Sequence, residues 1–276
     1  MRGSIICLCL AGGLQVFGET PKVDSVFPAG GQRGSEFDVT IAGKIEPWPL
    51  VVYCDEPGIR FTAGKEKGVF RVGIDAEVET GAYLLWFANG DGVTAPRQFV
   101  VGEIPERGQA GDEELLVPAS ELPLTINGKL DSAGQVDRFL IELEAGQSLV
   151  ADAVAYAIDS PLDPLLHLLG PAGERLAFNH DADRLGLDPR LVFKAPADGR
   201  YQLLLSAFAH PPQANIRFAG GVTSIYRLSL GHEVPAIELS PPVEVVGAGA
   251  QLVTVPTAVG GRIDQPGEID RFRFVA

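Results

Sequence analysis

Cysteine, methionine and tryptophan are scarce in this 276-residue chain, which holds three, one and two of them. Cys7 and Cys9 fall in an apolar N-terminal stretch, which leaves Cys54 without a partner. A disulfide framework is thereby excluded, and stability must come from a buried core. Positive charge is also thin. Lys and Arg number 22 against 36 Asp and Glu, a formal net charge of −14. That balance excludes nucleic acid as a partner, because phosphate binding needs clustered Lys and Arg, and it argues against docking on anionic lipid. No uncharged run reaches the ~20 apolar residues of a membrane-spanning helix. Catalytic signatures are missing too: there is no Gly-x-Ser-x-Gly elbow and no His-Glu-x-x-His zinc motif. The glycine-rich stretch 30–34 lacks the Lys-Ser/Thr of a phosphate loop, and 247–252 lacks the third glycine of a dinucleotide fingerprint. The four histidines, His167, His180, His210 and His232, show no paired ligand spacing. No catalytic residue is expected.

Turn formers and short apolar alternations are what the chain has in plenty. Gly (33) and Pro (21) make up about a fifth of it, beside 46% hydrophobic residues, a composition that implies real cores built from short strands joined by turns. Met1-Arg2 followed by the uncharged, mostly apolar stretch Ser4 to Val16, with short residues at Val16 and Gly18, has the order of a secretory signal peptide over residues 1–18. From Val23 to Val101 strand follows strand. Phe37, Val39 and Ile41 alternate with Asp38 and Thr40, and Phe70, Val72 and Ile74 alternate with Arg71 and Gly73. A run from Gly81 to Phe87 ends at the turn Asn89-Gly90-Asp91-Gly92. Cys54 shares the face of Leu50 and Val52, as a small buried hydrophobe would, and its neighbours Asp55 and Glu56 oppose thiolate formation. Residues 103–121 are charged and weakly periodic and read as a linker. Alternation resumes at Leu122, with Phe139, Ile141 and Leu143 on one face, then Leu149, Ala151 and Ala153, then Leu166 and Leu168 opposite His167. It ends with the run Tyr226 to Leu230.

An internal repeat punctuates this pattern. Gly128-Lys129-Leu130-Asp131-Ser132-Ala133-Gly134-Gln135-Val136-Asp137-Arg138-Phe139 matches Gly261-Arg262-Ile263-Asp264-Gln265-Pro266-Gly267-Glu268-Ile269-Asp270-Arg271-Phe272 without a gap at an offset of 133, with six identities. Recurrence favours a structural role: Phe139 in the core, Arg138 outward, and Asp137 satisfying backbone N–H groups where the strand starts. The second copy stops at Ala276, so the chain is expected to be part of something longer.

Two resemblances follow. Val26-Phe27-Pro28-Ala29-Gly30-Gly31, Gly34, Gly43, Gly81-Ala82-Tyr83 and Pro96-Arg97-Gln98-Phe99-Val100-Val101 resemble the opening and closing strands of an immunoglobulin-like IPT/TIG domain. Gly134-x-x-Asp137-x-Phe139, Asp163-Pro164-x-Leu166-x-Leu168, Gly173-x-x-Leu176-Ala177-x-Asn179 and Asp198-Gly199-x-Tyr201 are similar, in order and spacing, to the bacterial pre-peptidase C-terminal domain, a jelly-roll-like β-sandwich of secreted proteins. That family often carries two adjacent Asp after the Asn; here His180-Asp181 stands there. The expected fold is therefore all-β, an Ig-like sandwich (19–102) and a jelly-roll-like sandwich (122–232). A linker (233–254) and the start of an incomplete second copy (255–276) would follow.

One cluster is a candidate metal site. Asn179, Asp181, Asp183 and Asp163, with Asp159 and Asp188 nearby, place several oxygens on loops, which suits Ca²⁺; the alternative is a solvated turn whose Asn and Asp cap backbone groups. The resemblance implies a secreted, non-catalytic accessory or interaction module of a larger extracytoplasmic protein. One rival is a module for extracellular polypeptide or glycan, for which Trp86, opposite Tyr83, Leu85 and Phe87, supplies an aromatic; the other tryptophan is Trp48. A second rival is the non-catalytic part of a secreted peptidase whose catalytic domain lies outside this chain.

Overall fold

The computed structural model describes residues 19–234 except 110, 112, 113, 184, 215 and 216, together with 251–252 and 272–273. The expected signal peptide and most of the second repeat copy lie outside the described residues. The first part of the chain forms β1 (Lys22–Phe27), β2 (Gly30–Gln32), β3 (Glu36–Lys44), β4 (Val51–Cys54), β5 (Ile59–Ala63), β6 (Val69–Ile74), β7 (Gly81–Asn89), β8 (Gly92–Val93) and β9 (Arg97–Gly102). They make two sheets, β1-β3-β6-β5 and β2-β9-β7-β4, with β8 paired to β7. The alternation read from sequence is the reason for the layering. Val39, Ile41, Phe70, Val72 and Ile74 from one sheet meet Leu85, Phe87, Phe99 and Val101 from the other in a single buried cluster, while the intervening residues face water.

The second sandwich continues with β10 (Glu106–Gly108), β11 (Leu115–Val117), β12 (Leu124–Lys129), β13 (Asp137–Leu143), β14 (Ser148–Val154), β15 (Leu162–Leu169), β16 (Arg175–Asn179), β17 (Arg190–Lys194), β18 (Gly199–Ala209) and β19 (Ile225–Gly231). Its sheets run β10-β12-β19-β14-β17 and β11-β13-β18-β15-β16. Phe139, Ile141, Leu149, Ala151, Leu166, Leu168, Tyr201, Leu203 and Leu228 share its core. The all-β, sandwich-based fold class expected from the sequence is the one observed.

The stretch 103–121 differs from the linker expected. β10 and β11 join opposite sheets as parallel edge strands, Glu106 opposite Thr125 and Leu115 opposite Phe139. The second presumed linker, 233–254, also contains a strand. β20 (Gln251–Leu252) pairs in parallel with β21 (Phe272–Arg273), Gln251 opposite Phe272. Phe272 is the repeat counterpart of Phe139, so the parallel pairing of the first copy recurs in the second. Strands of two or three residues carry too little alternation to be told from loop, and parallel edge pairing is set by contacts far along the chain.

The two sandwiches touch. Ala29 and Val100 of the first pack with Val154, Ile158 and Ile225 of the second in a small third cluster. Arg97 lies 3.8 Å from Asp159, and the Lys129 ammonium sits 4.8 Å above the Phe27 ring. Arg227 is almost fully buried and donates to both carboxylate oxygens of Glu106 and to Asn127 Oδ1. A Cβ on Gly30 would stand 2.8 Å from the Arg227 guanidinium, so the first sandwich presses bare backbone against this pair.

Candidate functional site

The structure gathers part of the oxygen-rich cluster predicted from sequence. Asp163 begins β15 beside His180, just past β16, and Asp163 Oδ1 lies 2.8 Å from His180 Nε2. Asp181 Oδ2 approaches the other ring nitrogen, Nδ1, at 3.8 Å. Ligand atoms of these three residues lie within 4.8 Å of one another. The imidazole thus lies between two carboxylates, one facing each nitrogen. Burial raises the Asp163 carboxyl above the ordinary Asp range, with His180 pulling against that rise.

The other members are elsewhere. Asn179 Oδ1 accepts the Arg190 backbone N–H at 2.9 Å, so the Asn acts as a tether between β16 and β17. Asp183 is exposed and outside the cluster. Asp159 adopts a left-handed conformation, φ 61°, ending a 3₁₀ turn at Tyr156–Ile158, and faces Arg97 of the first sandwich. Asp188 is buried and accepts three backbone N–H groups, from Ala155, Tyr156 and Ala157, at 2.8–2.9 Å. Loss of solvent pushes its pKa up to about 6, against the pull of those three donors. It caps the turn, the structural reading weighed against calcium. Among the described residues, the set capable of holding an ion is accordingly Asp163, His180 and Asp181, a mixed nitrogen and oxygen group rather than the all-oxygen cage Ca²⁺ prefers. Sequence spacing gives only a weak signal for His180, beside Asn179, Asp181 and Asp183, because the four histidines show no paired ligand spacing.

The repeat motif has a different answer from the one expected. Asp137 is fully buried and accepts hydrogen bonds from the Tyr226 hydroxyl and from Gln135 Nε2, rather than serving only backbone N–H groups. A Cβ on Gly128 would stand 2.1 Å from the Tyr226 ring. Gly128 and Asp137, both repeated, therefore converge on one tyrosine: the glycine makes room for the ring and the carboxylate receives its hydroxyl. His167 packs its ring 4.7 Å from Phe178.

In the first sandwich Cys54 packs partly buried beside the core, and burial, helped by the neighbouring acids Asp55 and Glu56, pushes its thiol up to about 12. Trp48 stacks edge-on against Phe70, 5.1 Å between centroids. Trp86 lies on the outer face, directly across from Tyr53 on β4. Tyr53 is 58% exposed. Its place on that face was readable only once the register of β4 against β7 was known.

No family model matches the chain. Over 73 residues, 26% of this chain, it is 42% identical to a probable subtilase-type serine protease of Deinococcus radiodurans, and it spans about a tenth of that protein's length. Among solved structures it is similar to the pre-peptidase C-terminal domain of collagenase from Bacillus anthracis (15% identity, TM-score 0.31, covering 44% of this chain and 98% of that one). It is also similar to SGBP-B of a Bacteroides ovatus mixed-linkage glucan utilization locus (9% identity, TM-score 0.25, 75% and 74% covered). In sequence motifs and in β-sandwich architecture, this chain is similar to proteins that carry the pre-peptidase C-terminal domain.

Proposed function

We propose that the chain is exported and serves as a non-catalytic accessory module of a larger extracytoplasmic protein. The observation that carries this reading is the 42% identity to a stretch of a subtilase-type protease many times the length of the match, which supports a small unit borne by a much longer protein. The order of charge, apolar run and short residues over 1–18 supports export. A second reading, that the module is the non-catalytic part of a secreted peptidase, is favoured by the description of that same relative.

The test is to express the full chain from its own Met1 in a bacterial host, fractionate the cells and sequence the N-terminus of the purified product. A mature chain starting near Glu19 outside the cytoplasm is expected, with no hydrolysis of casein. A cytoplasmic product that retains Met1 and the apolar stretch overturns the reading.

A further inference from the structure

We propose that the outer face of the β2-β9-β7-β4 sheet binds a linear neutral polysaccharide, with Tyr53 and Trp86 as its stacking platform. This goes beyond the accessory role above and does not depend on export.

The platform follows from register. β4 and β7 pair antiparallel with Tyr53 opposite Trp86 and Val51 opposite Ala88, and Ala88 in turn faces Val93 of β8. Directly opposed residues on one face bring their Cβ atoms to about 5 Å, so the two aromatic side chains stand side by side. Val52 and Phe87, one step along each strand, turn into the core. Tyr53 is 58% exposed, Val51 55% and Val93 52%. These residues form two parallel rows, one aromatic and one aliphatic, at the open edge of the sheet, since β4 is the terminal strand.

Three observations choose the occupant. Among the described residues, neither the Tyr53 hydroxyl nor the Trp86 indole N–H is hydrogen-bonded to protein. Each ring therefore offers an apolar face together with an unused polar handle, the pairing a sugar presents in reverse: apolar C–H faces ringed by hydroxyls. The two rows contain no charged side chain, while the chain as a whole carries a net charge of −14. Anionic polysaccharide and anionic lipid are repelled, a cationic peptide finds no carboxylate within the rows, and a neutral ligand meets no such barrier. Finally, the pair sits on the terminal strand of the sheet and its neighbour, at an edge that does not limit ligand length, which suits an internal stretch of a long chain. Gln98, opposite Leu84 on the same sheet, lies at the polar border of the face.

The purified chain is run in native gels containing hydroxyethylcellulose, xyloglucan or galactomannan, with carboxymethylcellulose as the anionic control, and its mass is measured in free solution. Retardation by at least one neutral polymer is expected. Tyr53→Ala and Trp86→Ala should each weaken it at least tenfold without shifting the melting temperature by more than a few degrees. If Trp86→Ala fails to fold, Tyr53→Ala at the more exposed position carries the test alone. The proposal is overturned by unchanged migration in all three neutral gels, by retardation that survives Tyr53→Ala, or by retardation in the anionic gel alone. A dimer that Tyr53→Ala dissociates, without polysaccharide binding, would instead assign this face to contact between copies. None of these outcomes bears on export, which the N-terminal sequencing decides separately.

Discussion

Replacing Tyr226 by Phe isolates the bond that the repeat motif is built around. The substitution removes one hydroxyl and leaves the ring in the slot that Gly128 opens for it. Asp137, fully buried, then keeps the Gln135 side-chain amide at 2.7 Å but loses its phenol donor. Losing a donor to a buried polar group costs about 1–3 kcal/mol, so the expected loss is about 2 kcal/mol. For a sandwich of this size that corresponds to a fall in melting temperature of about 8 °C. Calorimetry on Tyr226→Phe, Asp137→Asn and the double variant should show the pair coupled by about 1 kcal/mol or more, beyond what independent sites display. Gly128→Ala should be worse than Tyr226→Phe, because the added methyl meets a ring held on all sides and overpacking costs about 1–3 kcal/mol before any bond is broken. A Tyr226→Phe protein that melts with the wild type, or strict additivity in the cycle, refutes the account.

Asp188 supplies a pH test. Its folded pKa of about 6 stands above the usual Asp value of about 4, so the folded state holds this proton more tightly. Its contribution is therefore complete below about pH 4 and is lost as pH rises through about 6. The stability of wild type relative to Asp188→Asn should fall by about 2–3 kcal/mol between pH 4 and 7, and a flat or rising difference in urea titrations refutes it. Cys54 should resist Ellman's reagent in the native protein at pH 8 and react only on unfolding, since its thiol titrates near 12; prompt stoichiometric labelling would contradict the burial. Millimolar calcium should leave the melting curve where chelator puts it, because His180 stands between Asp163 and Asp181 and Asn179 Oδ1 is already engaged. A rise in melting temperature abolished by Asp181→Asn would restore the calcium reading.

Local signals made much of this architecture legible. Alternation in Phe37-Asp38-Val39-Thr40-Ile41 and in Phe139 to Leu143 reports burial residue by residue, because the side-chain period of a strand is two. Turn clusters such as Asn89-Gly90-Asp91-Gly92 mark where strands stop. What stayed hidden was whatever depends on a distant partner. Asp137 looked like a strand-start cap because its acceptor role depends on Tyr226, 89 positions further along. The short strands β10 and β11 passed for linker because three residues cannot display a period. The acidic cluster divided for the same reason: adjacent positions in Asn179-His180-Asp181 point to different neighbours, and only the β15–β16 pairing shows that Asp163 meets the histidine. The outer-face aromatic pair was half visible, Trp86 from its face and Tyr53 only through cross-strand register.

The register at one edge of the second sandwich also sets how the chain passes through it. Glu106 pairs with Thr125, Thr125 with Ser229, and Leu124 with Leu230. The start of β10 and the finish of β19 thus lie at the same end of one sheet, separated by a single strand, and Glu103, Pro105, Pro123, Glu233 and Val234 line one cleft there with Gln32 and Arg33 of the first sandwich. The chain leaves beside the place where it arrives. The second sandwich is therefore a pendant on the thread rather than a bead strung along it, and its width adds little to the distance between whatever precedes Glu106 and whatever follows Val234. Tension along the thread would load β10, an edge strand, and β19, the central strand of the same sheet, at neighbouring points.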